Sequence, residues 1–408
     1  MVDSSPTDLR CPVCDRTYDA GPDEPWRCRC GEPLTFEHWP VPDGGAPPDS
    51  KLDDRRGLWS FFEFLPVSQQ VTLGEGFTPI VHAPEWNAQF KLEYVFPTGS
   101  FKDRGAATTL SRAVELGVDT VLEDSSGNAG TSIATYAARA GLDAAVYVPG
   151  DAAQSRLVAI QRTGARPIRV DGTRDDVARA CVEAVADGAG WYASHAWNPA
   201  FLAGTATFAL ELAAQRDWSV PDAVVLPVGT GTLLLGAYRG FTALERAGIV
   251  DDCPRLLAAQ ASGYAPVVED LGRAPTDGSE TDGESRWGLS TVGSTGDGDD
   301  SSSDGIGASL DGGRETRPGN EIADGIHIRA APRHAELLDA IEATAGDAIA
   351  VGEDRVELAL DRLHRSGFYV EPTAAVGPAA LQRFRDEGVV DPDDDVVVPL
   401  TGSGANTM

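Results

Sequence analysis

Strand-like and helix-like segments alternate along most of this chain. Helical patterns such as NAGTSIATYAARAG (128–141) separate short apolar runs of the kind that form strands. These runs are DTVLED (119–124), DAAVYVP (143–149), RPIRV (166–170), DAVVLPVG (222–229), RLLAAQASG (255–263) and DVVVPLTGSG (395–404). Strands that alternate with helices form parallel sheets covered by helices on both faces. The sequence therefore predicts an α/β fold with doubly wound parallel sheets.

Length and charge limit the partners of the chain. Its 408 residues are enough for two or more domains. The formal net charge is −30 at pH 7, and so acidic a surface argues against binding to nucleic acid or to anionic membranes. Such acidity with very few lysines resembles proteins from salt-loving, halophilic organisms. The N-terminus MVDSSPTDLR has no basic or apolar segment, and no apolar run of about eighteen residues occurs. We therefore expect a cytoplasmic protein.

Four of the six cysteines lie in one short segment. Cys11 and Cys14 form a C-x-x-C pair, and Cys28 and Cys30 form a tighter C-x-C pair. In a cytoplasmic protein such pairs are more typical of metal ligands than of disulfides, and four thiolates suit a tetrahedral structural zinc ion. The sequence predicts a zinc-ribbon-like module over residues 1–40. A ribbon that has lost its metal is the alternative.

Two segments differ in composition from the rest. VPDGGAPPDS (41–50) is rich in Pro, Gly and acid and is typical of a linker. Residues 272–320 have Gly, Ser, Thr, Asp or Glu at 35 of 49 positions, and they cannot bury enough apolar surface to offset the entropy of ordering. We interpret this low-complexity insert as a loosely held surface loop. A functional lid is the less favoured alternative.

Two glycine-containing loops each connect a predicted strand to a helix. In SSGNAG, Ser125, Ser126 and Asn128 join the exposed amides of a helix start in a candidate anion cradle. Serine and asparagine are also ordinary N-caps, so the loop is not specific by itself. In PVGTGT (227–232), the backbone N–H groups could bind a phosphate. Its spacing does not match the dinucleotide pattern G-x-G-x-x-G.

One lysine occupies a Gly/Ser-rich turn, PTGSFKDRG (97–105). The chain has only three lysines, Lys51, Lys91 and Lys102, against thirty arginines. An ammonium can lose its proton and become a nucleophile, whereas a guanidinium stays charged. Lys102 is therefore a candidate for imine formation with an aldehyde. A leftover surface lysine is the alternative.

Five motifs occur in an order that resembles one enzyme family. They are LGEGFTPI (73–80), FKLEYVFPTGSFKDRGA (90–106), SSGNAG (125–130), PVGTGT (227–232) and LTGSG (400–404). G-E-G-x-T-P and P-T-G-S-F-K-D-R-G are hallmarks of threonine synthases, which belong to the fold-type II pyridoxal-phosphate enzymes, the tryptophan synthase β-subunit superfamily. EIADGIHI and EPTAAVGPAAL also look like family segments. Archaeal and plant-type members of the family often carry an N-terminal cysteine ribbon.

The resemblance covers roughly residues 8–270 and 321–404. It implies a large domain, which binds pyridoxal 5′-phosphate, over residues 51–105 and 206–408. It also implies a small α/β domain over residues 106–205.

The resemblance also implies roles for individual residues. Lys102 would hold the cofactor aldehyde as an imine and, once displaced, act as the base at the substrate α-carbon. Asn128 would hydrogen-bond the cofactor 3′-oxygen, and Thr401 would donate its hydroxyl to the pyridine nitrogen. The other implied ligands are Gly229, Thr230, Gly231 and Thr232 for the cofactor phosphate, and Ser125, Ser126 and Ala129 for the substrate carboxylate.

The chain departs from the family pattern near the substrate. Phe96 replaces the asparagine that usually precedes P-T-G-S-F-K-D, and Ala206 stands where a lysine is common. Arg156, beside Ser155, could supply a replacement charge for a phosphorylated substrate. A solvated helix arginine is an equally good interpretation. His195 could contact the substrate, although a lone histidine is more often structural.

Three functions remain open from the sequence. The leading one is a threonine synthase, a lyase of threonine biosynthesis that converts O-phospho-L-homoserine and water to L-threonine and phosphate. The second is a threonine/serine ammonia-lyase or a β-replacement enzyme of the same superfamily. The third is a catalytically silent regulator that uses the cysteine segment to bind a partner, against which the intact motifs argue. For either enzyme we expect a small-molecule amino-acid substrate, and we allow for a homodimer.

Overall fold

The computed structural model describes residues 6–43, 45–47, 52–273 and 319–407. Most of the predicted insert, residues 272–320, therefore lies outside the described residues. The strands are β1 (Leu9–Arg10), β2 (Thr17–Tyr18), β3 (Thr35–Phe36), β4 (Ile80–Ala83), β5 (Ala88–Lys91), β6 (Thr120–Glu123), β7 (Asp143–Pro149), β8 (Arg166–Val170), β9 (Trp191–Tyr192), β10 (Ala223–Pro227), β11 (Arg255–Ala261), β12 (Asp347–Val351) and β13 (Val396–Pro399). The α-helices are α1 (Lys102–Glu115), α2 (Asn128–Ala140), α3 (Gln154–Arg162), α4 (Arg174–Ala186), α5 (Pro199–Ala214), α6 (Thr232–Arg246), α7 (Pro266–Asp270), α8 (His334–Ala343), α9 (Glu353–Arg365) and α10 (Pro372–Asp386). None of the helices in these ranges is long and apolar enough to cross a bilayer.

Three sheets organise these strands. A small antiparallel sheet has the order β2-β1-β3, a six-stranded sheet the order β12-β11-β10-β13-β5-β4, and a four-stranded sheet the order β8-β7-β6-β9. All pairs in the four-stranded sheet are parallel. In the six-stranded sheet only β4 pairs antiparallel, with β5. The predicted α/β fold with parallel sheets is thereby confirmed.

The sequence of β10 explains why the six-stranded sheet is covered on both faces. Its residues AVVLP alternate between two cores. Val224 and Leu226 pack in a core shared with α6 and α8, whereas Val225 packs in a core shared with α10. A strand that is buried on both faces needs apolar side chains throughout, as this one has.

Helices α1 and α5 pack closely because small residues lie at their contact. An added Cβ at Gly204 of α5 would lie 1.9 Å from the carbonyl oxygen of Arg104 in α1. The predicted domain boundaries, after residues 105 and 205, both fall within these two helices. The four-stranded sheet is formed entirely by strands that lie between them.

The small antiparallel sheet carries the cysteine segment and packs against α1. Cys11 and Cys28 are buried in the same core as Leu110 of α1. Arg112 of α1, itself buried, donates a hydrogen bond to Glu24 at 2.6 Å. The N-terminal module is therefore fixed to the helix that begins at the candidate nucleophile.

Candidate active site

One cavity of about 440 Å³ is lined by loops that follow strands of both larger sheets. These loops come after β6, β10 and β13. Parallel α/β sheets commonly bind ligands at the carboxyl ends of their strands. All residues predicted to bind cofactor or substrate line this cavity: Lys102, Ser125, Ser126, Asn128, Ala129, Ser155, Arg156, Gly229, Thr230, Gly231, Thr232 and Thr401.

Lys102, the first residue of α1, reaches the cavity with its amine. Its Nζ lies 3.9 Å from the centroid of the Phe101 ring, and it forms no ion pair with a described residue. Burial lowers the pKa of Lys102 to about 8, while the carboxylates of Glu371 and Glu123 partly oppose that shift. A lysine with this pKa is neutral, and hence nucleophilic, in an appreciable fraction of molecules near neutral pH.

The neighbours of Lys102 in PTGSFKDRG hold the turn in place. Asp103 is buried and accepts hydrogen bonds from the Thr98 amide at 2.8 Å and from the Ser132 hydroxyl at 2.6 Å. At Gly105 an added Cβ would come within 2.4 Å of a neighbouring aromatic ring. These residues do not line the cavity, so their part in the motif is to position the lysine.

Arg104 belongs to a buried charge cluster formed with Lys91, Glu93 and Glu211. Its guanidinium donates to both Glu93 oxygens at 2.7 Å and to Glu211 at 2.9 Å. The Lys91 ammonium donates to Glu211 at 2.7 Å. Although burial alone would raise it, the charges of Arg104 and Lys91 lower the pKa of Glu211 to about 2. With all four groups ionised, the charge cluster has no net charge.

The loop between β10 and α6 presents backbone donors to the cavity. Gly231 has a φ of 79°, and an added Cβ there would lie 2.3 Å from Leu337 of α8. The amides of Gly229, Thr230 and Gly231 donate to no other described residue, and the first N–H groups of α6 have no partner within the helix. Unpaired amides at a helix start suit a phosphate group.

Two further loops supply polar groups. Thr401, after β13, is 3% exposed, and its hydroxyl makes no hydrogen bond to a described residue. The loop before α2 is tight, because an added Cβ at Gly130 would lie 1.7 Å from the Ser125 carbonyl oxygen. Ser125 and Ser126 therefore lie beside the free amides at the start of α2, where a carboxylate could bind.

The chemistry of these groups fits pyridoxal 5′-phosphate. Lys102 would offer an amine to the aldehyde, and Thr401 would offer a hydroxyl to the pyridine nitrogen. The loop 229–232 offers neutral amides to the phosphate.

Glu371 is a cavity residue that the sequence analysis does not identify. Asn128 donates its side-chain amide to both Glu371 oxygens, at 2.9 and 3.0 Å, and Asn406 donates to the Asn128 oxygen at 2.9 Å. Burial raises the pKa of Glu371. Glu371 is also the N-cap residue of α10, so in the sequence it is indistinguishable from an ordinary helix start. The orientation of Asn128 depends on this carboxyl group.

A buried Glu123–His195 pair forms another part of the lining. Nδ1 of His195 lies 2.8 Å from Oε1 of Glu123, and His195 lines the cavity. Burial raises the pKa of Glu123 to about 8 and lowers that of His195 to about 3. Burial therefore favours the uncharged form of both groups. His195 therefore has a structural partner, as is usual for a lone histidine, and it also lines the cavity.

Two arginines reach the cavity from helices that pack on the four-stranded sheet. Arg156, in the first turn of α3, donates to Asp324 at 2.8 Å. Arg174, the first residue of α4, also lines the cavity, although no motif in the sequence predicts this. Ala206, by contrast, is buried against α6 and does not line the cavity, so residue 206 of this chain does not contribute to the site.

The four N-terminal cysteines form one cluster. The Sγ atoms of Cys11, Cys14, Cys28 and Cys30 all lie within 4.8 Å of one another. The Cys11–Cys30 sulfur distance is 3.6 Å and the Cys14–Cys28 distance is 3.4 Å. In a tetrahedral zinc–thiolate site the sulfurs are about 3.8 Å apart, given the usual Zn–S bond length. This arrangement could hold a tetrahedral metal ion.

Comparison with known proteins gives the family. Residues 71–402 match the family model described as pyridoxal-phosphate dependent enzyme. A threonine synthase from Methanocaldococcus jannaschii is 32% identical over 416 aligned residues, which cover 97% of this chain and 92% of that protein. A threonine synthase from Methanosarcina acetivorans is 30% identical, with 85% of this chain and 79% of that protein covered.

Solved structures show the same fold. The processed form of threonine deaminase isoform 2 from Solanum lycopersicum superposes with a TM-score of 0.63 at 17% identity, covering 96% of this chain and 95% of that one. A fungal L-serine ammonia-lyase from Rhizomucor miehei gives a TM-score of 0.61 at 20% identity, covering 80% of this chain and 93% of that one. At these identities the likeness concerns the fold alone. From the family model and the two threonine synthases, the chain belongs to the threonine synthase family of fold-type II pyridoxal-phosphate-dependent enzymes.

Proposed function

We propose that this enzyme is a threonine synthase, which converts O-phospho-L-homoserine and water into L-threonine and phosphate. One observation carries the proposal: the cavity that contains the cofactor donors is also lined by a guanidinium, that of Arg156. The substrate has an α-carboxylate and a distal phosphate, and the cavity offers a loop suited to the first and an arginine suited to the second. The threonine synthases that match most of the chain support the same reaction.

In the proposed reaction the cofactor, Lys102 and the two anion-binding groups have separate roles. Bound pyridoxal phosphate supplies the electron sink that makes the substrate α-proton removable. Lys102, with a pKa of about 8, takes and returns protons at the substrate carbons. Ser125, Ser126 and Ala129 orient the α-carboxylate, and Ser155 with Arg156 binds the phosphate. The Cγ–O bond breaks and releases phosphate, and Cγ gains a proton. Cβ loses one proton and gains the hydroxyl group of water.

The test supplies the holoenzyme with O-phospho-L-homoserine, L-threonine and L-serine in separate reactions. We expect equal amounts of phosphate and threonine from the first, and no 2-oxo acid from the other two. The Lys102→Ala variant is the control for background hydrolysis. If phosphohomoserine released no phosphate while threonine gave 2-oxobutyrate, the enzyme would be a threonine/serine ammonia-lyase instead.

The cysteine cluster is proposed as a structural zinc site with Cys11, Cys14, Cys28 and Cys30 as ligands. The convergence of four sulfur atoms within 4.8 Å supports it. Metal analysis should find about one zinc per chain, lost in a Cys11→Ser/Cys14→Ser variant and retained in Cys181→Ser. The cofactor linkage should survive in part, because these cysteines do not line the cavity. Metal-free protein of unchanged stability would contradict the proposal.

A further inference from the structure

Arg174 is a charged cavity residue that has no partner in the described part of the chain. It lines the same cavity as Lys102, and among the described residues it donates no hydrogen bond and forms no ion pair. The other arginines nearby are engaged. Arg156 is bonded to Asp324, and Arg179, in the same helix as Arg174, pairs with Asp176 at 2.8 Å. The guanidinium of Arg174 can therefore bind a ligand without breaking an ion pair to a described residue.

The charge of the lining differs from that of the whole protein. The chain has a formal net charge of −30, yet the cavity is lined by Lys102, Arg156 and Arg174 against only two carboxylates, Asp324 and Glu371. Both carboxylates already have partners, the first in Arg156 and the second in Asn128. In so acidic a protein a dianionic ligand is repelled at long range, and a local excess of cations must hold it.

The field of Arg174 extends to the reacting groups. Burial is the main cause of the low pKa values of Lys102 and His195, and the positive charge of Arg174 lowers both further. Arg174 therefore shares the cavity of the candidate nucleophile and acts on it electrostatically.

Arg174 and the glycine loop reach the cavity from different sheets. Helix α4 packs on strands of the four-stranded sheet, whereas the loop 229–232 follows β10 of the six-stranded sheet. The cavity thus offers one set of anion donors on each side, which suits a cofactor phosphate on one and a second phosphate on the other.

We propose that Arg174 binds the distal phosphate of the substrate and thereby makes the enzyme selective for a phosphorylated amino acid. This inference rests on the proposed function. A guanidinium can bind two phosphate oxygens at once, which a neutral side chain in that place could not do. Arg174 acts beside Arg156, whose bond to Asp324 leaves it only part of its donor capacity.

The test measures binding rather than turnover. The ligand is the phosphonate analogue of O-phospho-L-homoserine in which a methylene replaces the ester oxygen, so that it cannot be cleaved. L-norvaline, which has the same carbon chain without the phosphonate, is the matched ligand. Isothermal titration of the holoenzyme should show the phosphonate bound about 10- to 100-fold more weakly by Arg174→Ala than by the wild type. Norvaline binding should be unchanged, and Arg174→Lys should recover part of the loss.

Arg179→Ala, in the same helix but outside the cavity lining, is the control and should bind the phosphonate like the wild type. In turnover, Arg174→Ala should raise the KM for phosphohomoserine by a similar factor with a smaller change in kcat. If the wild type releases phosphate and Arg174→Ala binds the phosphonate normally, the inference is wrong and the proposed function stands. If the wild type neither binds the phosphonate nor releases phosphate, both are wrong.

Discussion

Lys91 is fully buried and Lys102 is partly buried at the edge of the cavity, and their surroundings are opposite. The Lys91 ammonium donates to Glu211, to Gln215 and to the Thr78 carbonyl, at 2.7, 2.8 and 3.0 Å. Three acceptors satisfy its three hydrogens. Lys102 has an aromatic ring on one side, a cavity on the other, and no acceptor among the described residues.

The difference shows that burial alone does not make a lysine reactive. Burial lowers the pKa of both lysines. A nucleophile must also present a free lone pair to a space that admits the aldehyde. Lys91 would have to break the charge cluster to do so, whereas Lys102 has no such contact to lose. Its three acceptors suit Lys91 to a structural role, and access to the cavity suits Lys102 to a chemical one.

The largest expected effect is the loss of chemistry at Lys102. Lys102→Ala and Lys102→Arg should both lose the visible absorbance of lysine-bound pyridoxal and at least about 1,000-fold in turnover, because neither side chain can form the imine. Stability should change little, since no hydrogen bond is lost. If Lys102→Arg kept the absorbance, Lys102 would not be the residue that binds pyridoxal, and its distinction from Lys91 would be wrong.

Lys91→Ala should have the converse effect. Removing one member of a buried ion pair typically costs about 3–5 kcal/mol of folding free energy, because the charge cluster is left with an uncompensated negative charge. Urea unfolding should show that loss, while the folded variant should still bind pyridoxal phosphate covalently. A variant of normal stability would show that the charge cluster does not depend on Lys91.

The pH dependence of cofactor loading should separate the lysines further. Only the neutral amine attacks the aldehyde, so the rate at which apoenzyme binds pyridoxal phosphate covalently should rise with pH. Because the pKa of Lys102 is lowered to about 8, the rise should level off above about pH 8. A rate still rising at about pH 10 would indicate an ordinary lysine. Stopped-flow absorbance would measure this rate of cofactor binding at each pH.

Glu371→Gln should cause a smaller change, a shift in the pH midpoint of cofactor loading. The carboxylate of Glu371 raises the pKa of Lys102, so its removal should move the midpoint of the loading profile to lower pH by less than about one unit. Glu357→Gln, an exposed substitution in α9, should leave the midpoint unchanged. An upward shift in Glu371→Gln would contradict the electrostatic assignment.

The sequence predicts the fold and the reactive lysine because their signals are local. Apolar runs, glycine turns and the segment around Lys102 are each contiguous, so pattern and residue chemistry are enough. The sequence also shows a substitution, Phe96, but not its consequence. In the structure the Phe96 ring lies 5.0 Å from the Arg104 guanidinium, against the buried charge cluster.

The site residues that the sequence does not predict are brought together by tertiary contacts. Glu371 occupies a helix start, where an acidic residue is common without any ligand. Arg174 is the first residue of α4 and belongs to none of the five motifs. The Glu123–His195 pair joins residues 72 positions apart. Folding brings these groups to the cavity. Glu371 begins the segment EPTAAVGPAAL, but nothing in that segment alone shows that its carboxyl group reaches the site.

The role of Lys102 is tested most directly by locating the covalent bond to the cofactor. The holoenzyme is treated with borohydride, which reduces the imine to a stable secondary amine, and its peptides are mapped by mass spectrometry. The pyridoxyl group should be found on Lys102, with Lys51 and Lys91 unmodified. A pyridoxyl group on Lys91 or Lys51, or none on any lysine, would contradict that role.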